Sequence, residues 1–330
     1  MKPEVPYYEK MSDNQVQCHV CPQNCCIKPD GRGVCRVRKN VGGELLALNF
    51  GEVSAIALDP IEKKPLYHFY PGRAILSLGT VGCNLSCGFC QNYHIAQEEP
   101  STRYVSPEEL AELAVETRER DSIGVAYTYS EPLMWYEYLV AATPIVKDHD
   151  LQNVLVTNGF INQEPMEKLL PYIDAMNIDL KSFTESFYHK NCKGKLEPVK
   201  QTIGTCAGHT HIEITTLVIP GENDRPDEIE ELANWIAGIS PEIPLHLSRY
   251  HPAYKFYQPP TPAETMEQAR QAAKAHLKYV YVGNMAGFDN NTYCPNCGEI
   301  MVERSGFHVS LSSNYGTQCA KCGQKQSIVE

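Results

Sequence analysis

From residue 74 to residue 282 the hydrophobic pattern alternates between two periods. Short runs of aliphatic, β-branched and aromatic residues at 74–78, 123–129, 153–157, 175–180, 211–219, 245–247 and 279–282 read as buried strands. Between them, at 132–148, 226–238 and 262–276, apolar residues recur every three or four positions, as on one face of a helix. A further helix is announced before the second strand. Ser106 and Glu109 have capping-box spacing, Pro107 takes the first helical position, and Leu110, Leu113 and Ala114 supply the apolar face. Strands separated by helices pair in parallel, because a parallel neighbour needs a crossover. The pattern predicts an α/β fold, and with this many units the sheet curls into a full or partial (β/α) barrel.

Polar and glycine residues cluster just after the expected strands. Cys83 follows the first, Ser130 and Glu131 the second, and Asn158 and Gly159 the third. Asp179 and Lys181 flank the end of the fourth, Pro220 and Gly221 end the fifth, Arg249 and His251 follow the sixth, and Gly283 and Asn284 the seventh. Loops are polar in any fold, yet this rim is where parallel α/β folds bind ligands.

The two ends are built differently. Residues 1–50 carry a cysteine cluster and a hairpin signal at Gly42-Gly43, and residues 288–330 are short and dominated by two cysteine pairs. The expected organisation is a Cys-rich metal-binding segment (1–50), a barrel (51–287) and a zinc ribbon (288–330).

Composition narrows the function. Of 330 residues, 42% are hydrophobic, ordinary for a globular protein, and 29 basic residues face 40 acidic ones for a net charge of −11. An acidic surface disfavours nucleic acid and anionic membranes as partners. The ribbon segment fits this, with Arg304, Lys321 and Lys325 against Asp289, Glu299, Glu303 and Glu330. No apolar stretch approaches bilayer length, and the first residues lack the basic-then-apolar order of a signal peptide. The expected compartment is the cytoplasm.

The chain has 14 cysteines, and disulfides rarely persist in that compartment. They fall at 18, 21, 25, 26 and 35, at 83, 87 and 90, and at 294, 297, 319 and 322, with Cys192 and Cys206 alone. Clustered thiols in a reducing environment point to metal, whereas the two lone cysteines read as small buried apolar residues.

Cys83-x3-Cys87-x2-Cys90 offers three thiolates. Those can hold three corners of a cubane iron–sulfur cluster and leave one iron open, whereas electron-carrier clusters usually take four cysteines. A zinc site with a fourth ligand elsewhere is the plainer alternative. The triplet, with aromatic Phe89 before its last cysteine, resembles the signature of the radical S-adenosylmethionine (SAM) superfamily. That resemblance implies an enzyme with a 4Fe–4S cluster on Cys83, Cys87 and Cys90. Its open iron chelates SAM, and the reduced cluster cleaves SAM to a 5′-deoxyadenosyl radical that abstracts hydrogen from a substrate. It also implies a low-potential electron donor of flavodoxin or ferredoxin type.

Further motifs are similar to the superfamily's SAM contacts, strand by strand. Phe89 would meet the adenine, and Gln91 in the same loop is taken with it. The run Tyr129-Ser130-Glu131-Pro132 stands where a Gly-Gly-Glu-like element holds the SAM amino group, keeping the Glu without the glycines. Val156-Thr157-Asn158-Gly159 resembles the next contacting turn. Asp179-Leu180-Lys181 resembles the Asp-x-Lys element of glycyl-radical activases, and His246 stands where those have a ribose-contacting histidine. Glu131, Asp179 and Lys181 taken singly would serve equally as ordinary ion pairs. Over nearly its whole length, in the run at 59–72, the CQNYHI context and the amino-terminal cysteines, the chain resembles the AmmeMemoRadiSam radical SAM enzymes. These are related to pyruvate formate-lyase activating enzyme, and the resemblance implies Memo-like and AMMECR-type proteins, or a protein substrate, as partners.

Cys294-x2-Cys297 and Cys319-x2-Cys322, each pair followed by a glycine, have zinc-ribbon spacing, with rubredoxin-like iron as the alternative. Cys18, Cys21, Cys25 and Cys35 make four ligands for zinc or for an auxiliary iron–sulfur cluster, leaving Cys26 over. The stretch Glu62-Lys63-Lys64 reads as a solvated loop or as a cover for substrate. Three functional readings remain open from the sequence: radical SAM chemistry on an unidentified substrate, activation of a glycyl-radical protein, and a non-catalytic iron–sulfur or zinc protein.

Overall fold

The computed structural model, which describes residues 2–313 and 315–330, gathers the apolar runs into one eight-stranded sheet. Its strands are β1 (Ala55–Pro60), β2 (Ala74–Gly79), β3 (Ser122–Thr128), β4 (Gln152–Thr157), β5 (Ala175–Asp179), β6 (His211–Val218), β7 (Leu245–Arg249) and β8 (Val280–Gly283). They lie side by side in chain order. From β2 to β8 every pairing is parallel, whereas β1 runs antiparallel to β2. Strand β1 escaped the sequence reading because it is an edge strand, with Ile56 at 43% exposure and Pro60 at its end, so its apolar run is interrupted.

Helices fill the crossovers. They are α1 (Pro107–Glu116), α2 (Tyr136–Asp148), α3 (Gln163–Leu169), α4 (Leu196–Cys206), α5 (Pro226–Ile239) and α6 (Ala263–Lys274). At α1 the Ser106 Oγ accepts from the Glu109 amide at 3.1 Å, satisfying one of the free amides of the first turn. The segment expected to be helical from 132 begins with a 3-10 turn, Pro132–Trp135, before α2. Helices α3 and α4 were not expected, since α3 is a short seven residues and Pro198 and Gly204 dilute the period of α4.

The sheet curls without closing, so the fold is a partial barrel: β1 and β8 do not pair. The carboxyl-terminal segment docks alongside. Val329 forms a parallel bridge with Phe69, and Arg304 donates from Nη2 to the Tyr67 carbonyl at 2.6 Å. That segment holds its own three-stranded antiparallel sheet, Thr292–Tyr293, Ile300–Ser305 and His308–Leu311. It keeps a separate small apolar cluster of Cys294, Met301, Val302, Cys319 and Ile328. At the other end, the hairpin Arg38–Val41 and Glu44–Ala47 turns at Gly42 and Gly43 as expected. Val16, Leu45 and Ala47 are continuous with the barrel's core. No helix among the described residues is long and apolar enough to cross a membrane.

Candidate active site

The carboxyl ends of β3 to β8 surround a cavity of about 450 Å³, within the range that small-molecule cofactors occupy. Cys83, Cys87 and Cys90 all line it, carried on the loop after β2. The backbone of the neighbouring segment holds that loop in place: the Ser86 amide donates to the Cys192 carbonyl at 2.8 Å and the Gly88 amide to the Asn191 carbonyl at 3.0 Å. Asn158 reaches across from the end of β4, its Nδ2 3.6 Å from Cys83 Sγ and 3.0 Å from Asn84 Oδ1. Cys192 itself is buried, as expected of a lone apolar thiol.

Glu131 joins two turns of the rim. Its carboxylate accepts from Thr157 Oγ1 at 2.6 Å, from the Asn158 amide at 2.8 Å and from the Leu133 amide at 3.0 Å. Burial pushes its pKa up to about 7 against the pull of these donors. All three bonds stay within the chain, so Glu131 fixes the position of Asn158 as well as facing the cavity. Beside it, Ser130 Oγ is buried with no hydrogen-bond partner among the described residues. Lys181 and Asp179 also line the cavity and pair at 2.8 Å, Nζ to Oδ2. Phe89 is packed between Phe187 and Phe256 and forms an apolar part of the wall, and Gln91 lines the outer part.

His246 lies apart from the other expected SAM contacts. On β7 its side chain shares the inner face with Ser248, which lines the cavity, but it lies deeper in the barrel. There its Nε2 meets Glu213 Oε2 at 2.6 Å and its ring stacks on Tyr281, so it is committed to the barrel floor and does not reach the cavity. Pro220, Gly221 and Arg249 likewise do not line the cavity, and Arg249 Nε is engaged by the Thr261 carbonyl at 2.8 Å.

Several lining residues escaped the sequence reading. Thr215, Leu217 and Ser248 point inward from mid-strand, where only the closing of the sheet brings them together. Lys63 and Lys64, read from the sequence as a solvated loop or a cover for substrate, reach the cavity from the loop after β1, and Asp59 binds both, at 2.8 and 2.6 Å. Tyr129 Oη also donates to Asp59, at 2.6 Å, from a left-handed backbone with φ of 68°. Asp59 is thus held well below the usual carboxylate range: burial opposes this, but the three donors prevail.

The cysteine sets differ in spacing. Among the described residues, one group brings three or more ligand atoms all within 4.8 Å of each other: Cys294, Cys297, Cys319 and Cys322. Two of its sulfur pairs stand 3.6 and 3.7 Å apart, Cys294 to Cys322 and Cys297 to Cys319. A tetrahedral ion with metal–sulfur bonds of about 2.3 Å sets its sulfurs roughly 3.8 Å apart, so this group fits a single metal ion. The central triplet is not among the groups drawn that close and lines an open cavity, which suits a polynuclear cluster.

Comparison with known proteins agrees. The family model of the radical SAM superfamily matches residues 77–236, a span that holds the triplet, Glu131, Asn158, Asp179 and Lys181. Over 99% of both chains the protein is 43% identical to an uncharacterised protein of Methanocaldococcus jannaschii. It is 26% identical to the (2S)-3-sulfopropanediol dehydratase activating enzyme of Klebsiella oxytoca, over 36% of this chain and 38% of that one. In fold it resembles a radical SAM methyltransferase from Sphaerobacter thermophilus, with a TM-score of 0.53 and 17% identity over 91% of this chain and 82% of that one. With three cysteines at the mouth of a partial barrel and a matching family model over the same strands, the chain is an enzyme of the radical SAM superfamily.

Proposed function

We propose that Cys83, Cys87 and Cys90 hold the 4Fe–4S cluster and that SAM occupies the adjoining cavity, where a substrate also meets it. Cluster and SAM together supply one-electron cleavage of the sulfonium to a 5′-deoxyadenosyl radical, which abstracts hydrogen. The observation carrying this reading is that one cavity is lined by the three thiols, the Glu131–Asn158 strut and the Asp179–Lys181 pair. Asn158 steadies the Cys83 sulfur by hydrogen bonding. Ser130 Oγ and the Lys181–Asp179 pair are available to the polar groups of SAM, and Phe89 offers an apolar surface to its adenine. On the opposite wall Lys63, Lys64 and Tyr129, ordered by Asp59, face the remaining space and would meet the substrate. The packed rings of Phe89, Phe187 and Phe256 exclude water from their side of this space.

In this reading the chain divides into a Cys-rich segment (1–50), the SAM-binding barrel (51–287) and a zinc ribbon (288–330) that buttresses it through Arg304 and Val329. A protein substrate is favoured by the likeness to a relative that activates a dehydratase. Memo-like and AMMECR-type proteins are the partners to try first, with a flavodoxin or ferredoxin as electron donor. Anaerobically reconstituted protein given dithionite and SAM should release 5′-deoxyadenosine and methionine. Replacement of Cys83, Cys87 and Cys90 by Ala should abolish this, and unchanged release by that variant would overturn the assignment. Incubation with a candidate partner and deuterated SAM then tests for a protein target, read as label exchange or a protein radical signal.

A further inference from the structure

Cys18, Cys21, Cys25 and Cys35 stand together around a second pocket, far apart in sequence from the central triplet and not lined by any of its cysteines. Cys18, Cys21 and Cys35 are each 6% exposed, and all four are free thiols. The fifth nearby cysteine, Cys26, is exposed and turned outward, its Sγ 3.3 Å from Gln15 Oε1, so four sulfurs and no more define the pocket.

Two independent features identify what such a pocket takes. One is charge. Arg38 lines the same pocket and is 1% exposed, yet its Nε and Nη1 have no hydrogen-bond partner among the described residues. Nη2 lies 2.8 Å from Glu137 Oε2, an ion pair that balances the charge but leaves the guanidinium donors without well-aligned hydrogen bonds. Buried N–H donors left open are costly unless a further acceptor faces them. Four thiolates around metal provide an anion, and inorganic sulfide accepts N–H donors. The other feature is spacing. The carboxyl-terminal cysteines draw their sulfurs within 4.8 Å of each other, as one tetrahedral ion requires, whereas no three of the four sulfurs here do so. Ligands of a polynuclear cluster are shared among several metal atoms and stand farther apart, so this set resembles the central triplet and not the ribbon.

We propose that Cys18, Cys21, Cys25 and Cys35 hold a second iron–sulfur cluster, with Arg38 donating to its sulfides. The site adjoins the first: a Cβ on Gly82 would lie 2.6 Å from the Cys35 carbonyl, and Gln23 Nε2 donates to the Asn84 carbonyl at 2.8 Å. The loop that bears Cys83 therefore rests directly on the loop that bears Cys35. The proposal stands whether or not the central cavity binds SAM.

The full chain, produced with an iron–sulfur assembly system and purified without oxygen, gives the test. The variant Cys83→Ala/Cys87→Ala/Cys90→Ala lacks the central ligands. It should still carry about two to four iron atoms with matching sulfide per chain and a thiolate-to-iron absorption band. The unaltered chain should hold more than about four iron atoms. The count separates a two-iron from a four-iron cluster, and either supports the proposal. An iron-free triple variant, with or without a second zinc beyond the ribbon's, overturns it, whereas iron kept in the triple variant with no excess in the unaltered chain supports it and removes the central cluster instead.

Discussion

Glu213 and His246 meet at 2.6 Å on the floor of the barrel, Oε2 to Nε2. The same carboxylate accepts from the His68 amide at 2.7 Å, from the Tyr67 amide at 3.0 Å and from His211 Nε2 at 3.0 Å. Burial opposes ionisation of Glu213, but the donors from His211 and His246 prevail and hold its carboxyl well below the usual range. This one side chain ties β6 and β7 to the segment that bridges the open side of the barrel.

Glu213→Gln keeps the volume but turns an amide donor toward groups that are already donors. Breaking a buried ionic network in this way costs about 3–5 kcal/mol. The expected outcome is a thermal midpoint lower by roughly 4–7 °C. Iron content should not change, because Glu213 does not line the cavity. A midpoint within a degree of the unaltered chain's would show that the network is not structural.

Acid should weaken the same region through His68. His68 is fully enclosed, with Nδ1 3.0 Å from Ser327 Oγ and Nε2 2.7 Å from Tyr281 Oη, and burial lowers its pKa to about 3. Unfolded, the imidazole takes a proton near pH 6.5, so between about 3 and 6.5 the unfolded chain holds one more proton than the folded one. Stability is therefore complete above that window and falls as pH drops through it, by up to about 1.4 kcal/mol per unit. Denaturant unfolding at pH 7, 6 and 5 measures the slope. In His68→Gln the slope should flatten, and an unaltered slope would assign the acid sensitivity elsewhere.

Where residues act by type and position in sequence, they were legible before the fold was known. Cys83, Cys87 and Cys90 announce themselves by spacing, and Glu131, Asn158, Asp179 and Lys181 by following apolar runs; all seven line the cavity. Thr215 and Ser248 were not legible, because a hydroxyl inside a strand becomes a lining group only when the sheet curls. His246 shows the converse: strand alternation puts it on the inner face with Ser248, but depth along the barrel sets it beside Glu213 and not among the cavity's lining. Arg38 gave no signal at all, since a basic residue in a hairpin reads as a solvated charge until its burial is seen.

Glu131 offers a direct test of the rim. In Glu131→Gln the amide cannot accept at both former oxygen positions, so either Thr157 Oγ1 or the Asn158 amide loses its partner. Losing a hydrogen bond to a charged group costs about 1.5–3 kcal/mol, which would weaken SAM binding roughly 10- to 100-fold. The three cysteines are untouched, so the iron count should hold. Calorimetric SAM binding on reconstituted protein measures the loss, and unchanged affinity at full iron content would remove Glu131 from the SAM site.

The ribbon should bind one zinc ion and depend on it for its attachment to the barrel. Its apolar cluster has only five buried members, two of them the ligands Cys294 and Cys319, so little besides metal orders the segment. The sulfur separations of 3.6 and 3.7 Å fit either zinc or iron, but thiolate sites hold zinc more tightly than ferrous iron. Cys297→Ser in the full chain should lower zinc by about one atom per chain and leave iron unchanged. With the ion gone, Arg304 and Val329 lose the frame that holds them against Tyr67 and Phe69. Limited proteolysis should then trim residues 288–330 first. Iron at that site under equal supply would reverse the choice of metal, and undiminished protection of the metal-free ribbon would show that packing against the barrel suffices.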